Sequence, residues 1–111
     1  MRRGEIWVAQ LEPRKGSKAG KQRPVLICQT NLLNDVGHPT TLILPITSQH
    51  QTENLLRHRI ECEALHQGQG FVLIDQLRAI DLQARMKKKV GELSNIEMDQ
   101  ISRLVRIVLD L

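Results

Sequence analysis

The chain has 111 residues, 41% of them apolar and 25% charged, with a net charge of +4. That length fits a single domain over residues 1–111 with one modest core, and the balance excludes collagen-like and disordered chains. No apolar run approaches the ~20 residues of a membrane span, and no signal-peptide stretch follows Met1-Arg2-Arg3-Gly4-Glu5, so a cytoplasmic protein without membrane contact is expected.

Strand-like segments come first. Glu5 to Glu12 is rich in β-formers (Ile6, Trp7, Val8) and stops before Pro13. Arg14 to Gln22 sets Gly16, Ser17 and Gly20 among lysines and predicts a flexible loop. Arg23 to Gln29 is a short continuous apolar run, as in a central strand, and Thr40 to Thr47 is another. Pro45 cannot donate to a ladder, so that second run is expected at an edge or a bulge. Arg57 to Glu63 alternates around Ile60 and Cys62. Gln67-Gly68-Gln69-Gly70 predicts a turn. Phe71 to Asp75 is a fourth apolar run that continues into Gln76-Leu77-Arg78, and Arg85 to Val90 is a basic strand ending at Gly91.

A helix comes last. Ser94-Asn95-Ile96-Glu97 has the pattern of a capping box, in which the two side chains satisfy each other's backbone amides. Met98, Ile101, Val105 and Val108 follow at three- and four-residue spacing, with Leu104 and Leu111 beside them. This stripe should pack on the sheet or on a partner subunit. Many short strands with one terminal helix predict a mainly β fold, a small twisted sheet or half-open barrel.

The basic residues cluster. Arg14, Lys15, Lys18, Lys21 and Arg23 share one acid-free stretch, and Arg85, Lys87, Lys88 and Lys89 share another. Such clusters suit a polyanion, through release of its counterions; the plainer reading is a solubilising loop and a solvated strand. Cys28 sits in an apolar run, where cysteine packs as a small hydrophobe, and two cysteines in all suit a reduced compartment. His58, Cys62 and His66 have the one metal-like spacing, but in extended chain they span ~27 Å, too far for one ion with ~2 Å bonds. The two histidines read as surface side chains, as do His38 and His50.

There is no P-loop, dinucleotide-binding glycine loop or nucleophile elbow. Three sets of polar residues interrupt apolar strands at their ends: Arg23, then Thr47 and Ser48, then Asp75, Gln76 and Arg78. Strand ends that meet at one mouth of a barrel would bring them together. The alternatives are a surface ion pair for Arg23, a turn hydroxyl for Thr47 and an Asp75–Arg78 pair.

Arg3-Gly4-Glu5-Ile6-Trp7, Gly16-Ser17, Gly20-Lys21 and Arg23-Pro24-Val25-Leu26 resemble the opening of the MazF/PemK/Kid toxin family. Pro45-Ile46-Thr47-Ser48 and Asp75-Gln76-Leu77-Arg78-Ala79-Ile80-Asp81 resemble its later motifs, so the resemblance covers nearly the whole chain in register. It implies an SH3-like barrel of the CcdB/PemK type, a homodimer, and a ribosome-independent endoribonuclease (an mRNA interferase) that cuts single-stranded RNA without metal or other cofactor. It also implies an acidic antitoxin of the MazE/PemI type as partner.

In the MazF-like branch the matching arginine and threonine are catalytic, which puts that role on Arg23 and Thr47. The chemistry fits: RNA is cut without metal when its own 2′-OH attacks the adjacent phosphorus, leaving a 2′,3′-cyclic phosphate and a 5′-OH. A guanidinium fork matches two phosphate oxygens, and the threonine hydroxyl can bond another. An arginine, charged to above pH ~12, is a poor proton acceptor. The Kid-like branch uses an aspartate at the place of Asp75, but its accompanying arginine and histidine are here Leu73 and Ser17. Asp75 is therefore open between base and substrate contact.

The first loop resembles the family's mobile loop over RNA, so Arg14, Lys15, Gly16, Ser17, Lys18 and Lys21 are expected substrate contacts that position phosphates. Ser48, Gln49, Asp75, Gln76 and Arg78 complete the set, with base choice leaning on polar groups because Trp7 and Phe71 are the only aromatics. The runner-up is a non-catalytic toxin or an RNA- or protein-binding module on the same fold. The related CcdB toxins bind gyrase through a C-terminal Trp-Gly-Ile, where this chain has Leu109-Asp110-Leu111.

Overall fold

Continuous apolar runs become strands with two buried faces, because successive side chains point to opposite sides. In the computed structural model, which describes residues 1–11 and 21–111, this holds for the two central strands, β2 (Gln22–Ile27) and β3 (Thr40–Thr47). Val25, Ile27 and Ile43 pack on one side with Ala9, Leu11 and Ile80. Leu26, Leu44 and Ile46 pack on the other with Ile6, Val72, Met98 and Ile101. The described residues thus hold two apolar clusters, one on each side of a shared layer.

Around that layer stand β1 (Glu5–Gln10), β4 (Arg57–Glu61), β5 (Gln69–Leu73), β6 (Arg78–Asp81) and β7 (Met86–Glu92). All pairings are antiparallel, in the order β4–β5–β3–β2–β1–β7. β3 divides its second edge: Thr40–Ile43 pair with β6, and Ile46 and Thr47 pair with β5. Two short helices, α1 (Asn31–Asn34) and α2 (Leu82–Arg85), link strands, and the long helix α3 (Asn95–Leu109) follows β7.

Pro45 is not at an edge, as its missing N–H suggested. It lies buried in β3, opposite Val25. The N–H of Cys28 donates to the carbonyl of Leu42 at 2.9 Å, so by antiparallel alternation the next bonded pair is Leu26–Leu44 and Val25–Pro45 is a non-bonded one. The absent donor of Pro45 therefore faces away from β2, into the gap between the β6 and β5 pairings, where no ladder bond is lost.

The apolar run from Phe71 does not continue straight either. A 3-10 turn at Ile74–Gln76 ends β5, and the chain re-enters the sheet as β6. The basic strand starts one residue later than expected and runs through Gly91 to Glu92. In α3 the Oγ of Ser94 accepts from the Glu97 N–H at 3.2 Å, whereas the Glu97 carboxylate turns away, 3.5 Å from Nε2 of His58. Met98 and Ile101 are buried against the sheet, Leu104 and Val105 are half-buried, and Val108 and Leu111 are exposed. Only the first half of the stripe finds the sheet. No helix among the described residues is long and apolar enough to cross a membrane.

Candidate active site

The first site is built by a backbone defect. Beyond Val25–Pro45 the next bonded pair of the β2–β3 ladder would be Pro24–Ile46, and Pro24 has no N–H. Pairing stops there. Between the parted strands opens a pocket of 310 Å³, lined by Lys21, Gln22, Arg23 and Pro24 on one side and by Ile46, Thr47, Ser48, Gln49 and His66 on the other. On its far side β2 stays paired to β1, Ala9 opposite Arg23 and Gln10 opposite Gln22.

Arg23 is half-buried and has neither ion pair nor hydrogen-bond partner among the described residues. The expected surface ion pair is absent there. Thr47 is in part the turn hydroxyl considered above, since its Oγ1 accepts from the Gln49 N–H at 3.2 Å. One lone pair is thereby occupied and the O–H proton is left to donate. The pocket thus presents a guanidinium fork, an ammonium and two hydroxyls from the two opposed strand ends. That donor set suits a phosphodiester.

The structure brings Arg23, Thr47, Ser48, Gln49 and Lys21 together. It does not bring Asp75, Gln76 and Arg78 to the same mouth. Phe71 is the β5 partner of Thr47, whereas Asp75 lies past the end of β5, in the Ile74–Gln76 turn, and is not among the residues lining the pocket. Asp75 pairs with Arg57 at 2.7 Å, not with Arg78 or Arg23. Arg14, Lys15, Gly16, Ser17 and Lys18 lie outside the described residues. The second basic cluster is divided: Arg85 donates to the carbonyls of Gln10 and Leu11 at 3.2 and 3.0 Å, and Lys89 pairs with Glu5 and Glu92. Lys87 and Lys88 are exposed.

Near the start of β1 the polar groups are saturated. Glu5 accepts from the Arg2 N–H at 2.9 Å and the Trp7 indole at 3.0 Å, and pairs with Lys89 at 3.0 Å. Burial alone would raise its carboxyl; these donors outweigh it and hold the group at about 2. Trp7 is tied into this structural cluster and packs against the second core. Cys28 and Cys62 are free, and burial pushes the Cys28 thiol up to about 12. His58, Cys62 and His66 diverge, His58 to Glu97, Cys62 to Gly91 and His66 to the pocket. Sequence reasoning missed His66 as a site residue. The signal available was its place directly before the Gln67–Gly70 turn.

Residues 2–109 match the model of the PemK-like, MazF-like toxin of type II toxin-antitoxin systems. The chain belongs to this family. Across 100% of its length it is 35% identical to endoribonuclease EndoA of Bacillus subtilis, covering 96% of that protein. It is 32% identical to endoribonuclease MazF of Staphylococcus saprophyticus, again over 100% of its length and 92% of the relative. The crystal structure of MazE-MazF from Deinococcus radiodurans shares the fold, with a TM-score of 0.78, 18% identity, and coverage of 100% of this chain and 96% of that one. The MazF-like fold is thus a mainly antiparallel sheet closed by a C-terminal helix, as the strand pattern and the resemblance both implied.

Proposed function

We propose that the pocket between β2 and β3 is where this MazF-type endoribonuclease, the toxin of a toxin–antitoxin pair, holds the scissile phosphate of single-stranded RNA. One observation carries the reading: a half-buried Arg23, unpartnered among the described residues, and the Thr47 hydroxyl line one pocket opened by Pro24. The 2′-OH of the substrate attacks phosphorus. Arg23 and Thr47 stabilise the charge that builds on the non-bridging oxygens, and the products are a 2′,3′-cyclic phosphate and a 5′-OH. No step requires a metal. Lys21 and the first loop position phosphates, and Ser48 and Gln49 contact the adjoining nucleotide. Asp75, Gln76 and Arg78 touch the strand away from the scissile phosphate.

The functional unit is a homodimer with two such pockets, supported by the exposed apolar residues at the end of α3. An acidic antitoxin segment of the MazE/PemI type competes with RNA for the basic pocket, since both are polyanions. The test is cleavage of a long unstructured RNA in EDTA by the wild type and by Arg23→Ala, with the product ends mapped. Discrete cuts with 2′,3′-cyclic phosphate and 5′-OH termini, lost in Arg23→Ala, are expected. A folded Arg23→Ala protein that cuts at full rate sinks the assignment.

A further inference from the structure

The cleavage reaction leaves a proton to be placed, and the pocket narrows the choice. Lys21 and Arg23 are cations, and Gln22, Gln49, Thr47 and Ser48 are amides and hydroxyls. None is a useful proton acceptor near neutral pH. Among the described residues no carboxylate lines the pocket, and Asp75 is held by Arg57 elsewhere. The remaining polar lining residue among them is His66, and imidazole is the side chain suited to that exchange.

The turn that carries His66 is fixed, not incidental. Leu65 is buried in the core beneath it. Four backbone bonds of the described residues close it: Leu65 N–H to Cys62 O at 3.0 Å, Gly68 N–H to Leu65 O at 2.9 Å, Cys62 N–H to Gly68 O at 3.0 Å, and Gln69 N–H to the carbonyl of His66 itself. Gln67 adopts the left-handed region, at φ 56°. Gly70 then lets the chain press against β3, for a Cβ there would stand 2.8 Å from Cγ2 of Ile46 and 3.2 Å from the Thr47 carbonyl. The close approach seats the His66 turn beside Thr47. Among the described residues the His66 imidazole has no hydrogen-bond or ion-pair partner.

We propose that His66 is the general base, taking the proton of the attacking 2′-OH opposite Arg23. The inference rests on the phosphate site proposed above. The O2′–P bond forms as the O2′ proton passes to a ring nitrogen of His66. The P–O5′ bond breaks with its electron pair on O5′, which takes a proton from water, and the imidazolium returns its proton to the hydroxide so formed.

The experiment measures single-turnover cleavage across pH 5–9 for the wild type, His66→Gln, His66→Ala and Arg23→Ala. Binding is followed in parallel with an RNA bearing a 2′-deoxy sugar at the cut. The expected result is a ~10²–10⁴-fold loss in both His66 variants, unchanged binding, loss of the rising limb of the pH profile, and partial rescue of His66→Ala by added imidazole. Near-wild-type rates with an unchanged profile overturn the inference and leave the Arg23–Thr47 site standing. A slow variant that keeps the wild-type profile and ignores imidazole marks a structural role and overturns it too. Full activity in Arg23→Ala overturns the phosphate site together with the base that faces it.

Discussion

Two polar clusters lie at opposite ends of the β1–β2 hairpin. Around Glu5 every strong group is answered: the carboxylate takes the Arg2 amide, the Trp7 indole and the Lys89 ammonium. Around Arg23 the side-chain donors are left open among the described residues, and the Thr47 hydroxyl, which accepts the Gln49 N–H, keeps its own proton to donate. A saturated cluster contributes its interactions to folding, while an open one keeps them for a ligand. On the proposed reading of the pocket, the difference separates charges that serve stability from charges that serve chemistry, though both clusters sit on neighbouring strands.

That contrast can be broken by mutation. Arg23→Ala should lower single-turnover cleavage by ~10²–10³-fold or more while the melting temperature barely moves, as for a surface substitution. Thr47→Val should follow, with a loss of ~10–10²-fold, the worth of one hydrogen bond to a charged oxygen, checked by the same assay.

At the other end the sign of the effect reverses. Glu5→Gln should leave the cleavage rate within about twofold and cost about 2 kcal/mol of stability at pH 7 in urea unfolding. The folded carboxyl titrates at about 2 against an ordinary 4.5. Its contribution is therefore complete above pH 4.5 and is lost as the pH falls toward 2. The wild-type and Glu5→Gln unfolding curves should converge over that window. The smallest effect belongs to Asp75→Asn. It breaks a part-exposed ion pair with Arg57, so stability should fall by less than ~1 kcal/mol. Activity should change through KM, with kcat kept, because Asp75 stands outside the pocket.

How far the sequence carried the fold follows from which signals are local. Val25-Leu26-Ile27 and Ile43-Leu44 announce doubly buried strands by composition alone, and Thr40–Thr47 forms with the limits expected. β6 was hidden because Arg78-Ala79-Ile80-Asp81 buries only Ile80 and is held by pairing with distant Thr40–Ile43. The four-residue helices α1 and α2 rest on the caps of Thr30 and Asp81, too short to leave a periodicity. At the site, Arg23 and Thr47 were legible as polar residues ending apolar runs. Their separation from Asp75 was not, since it depends on the Ile74–Gln76 turn, and the place of His66 depends on the close packing of Gly70 against Ile46.

The missing amide of Pro24 has one more consequence. Because the aperture comes from a rung the main chain cannot form, its existence does not depend on the side chains around its rim. Lys21, Ser48 and Gln49 can therefore be exchanged without closing it, which, on the proposed reading of the pocket, separates the permission to bind a nucleic acid strand from the choice of which strand. Such a chain can drift in the sequence it reads while its cutting geometry stays put, and an engineer could randomise those three positions on an unaltered backbone.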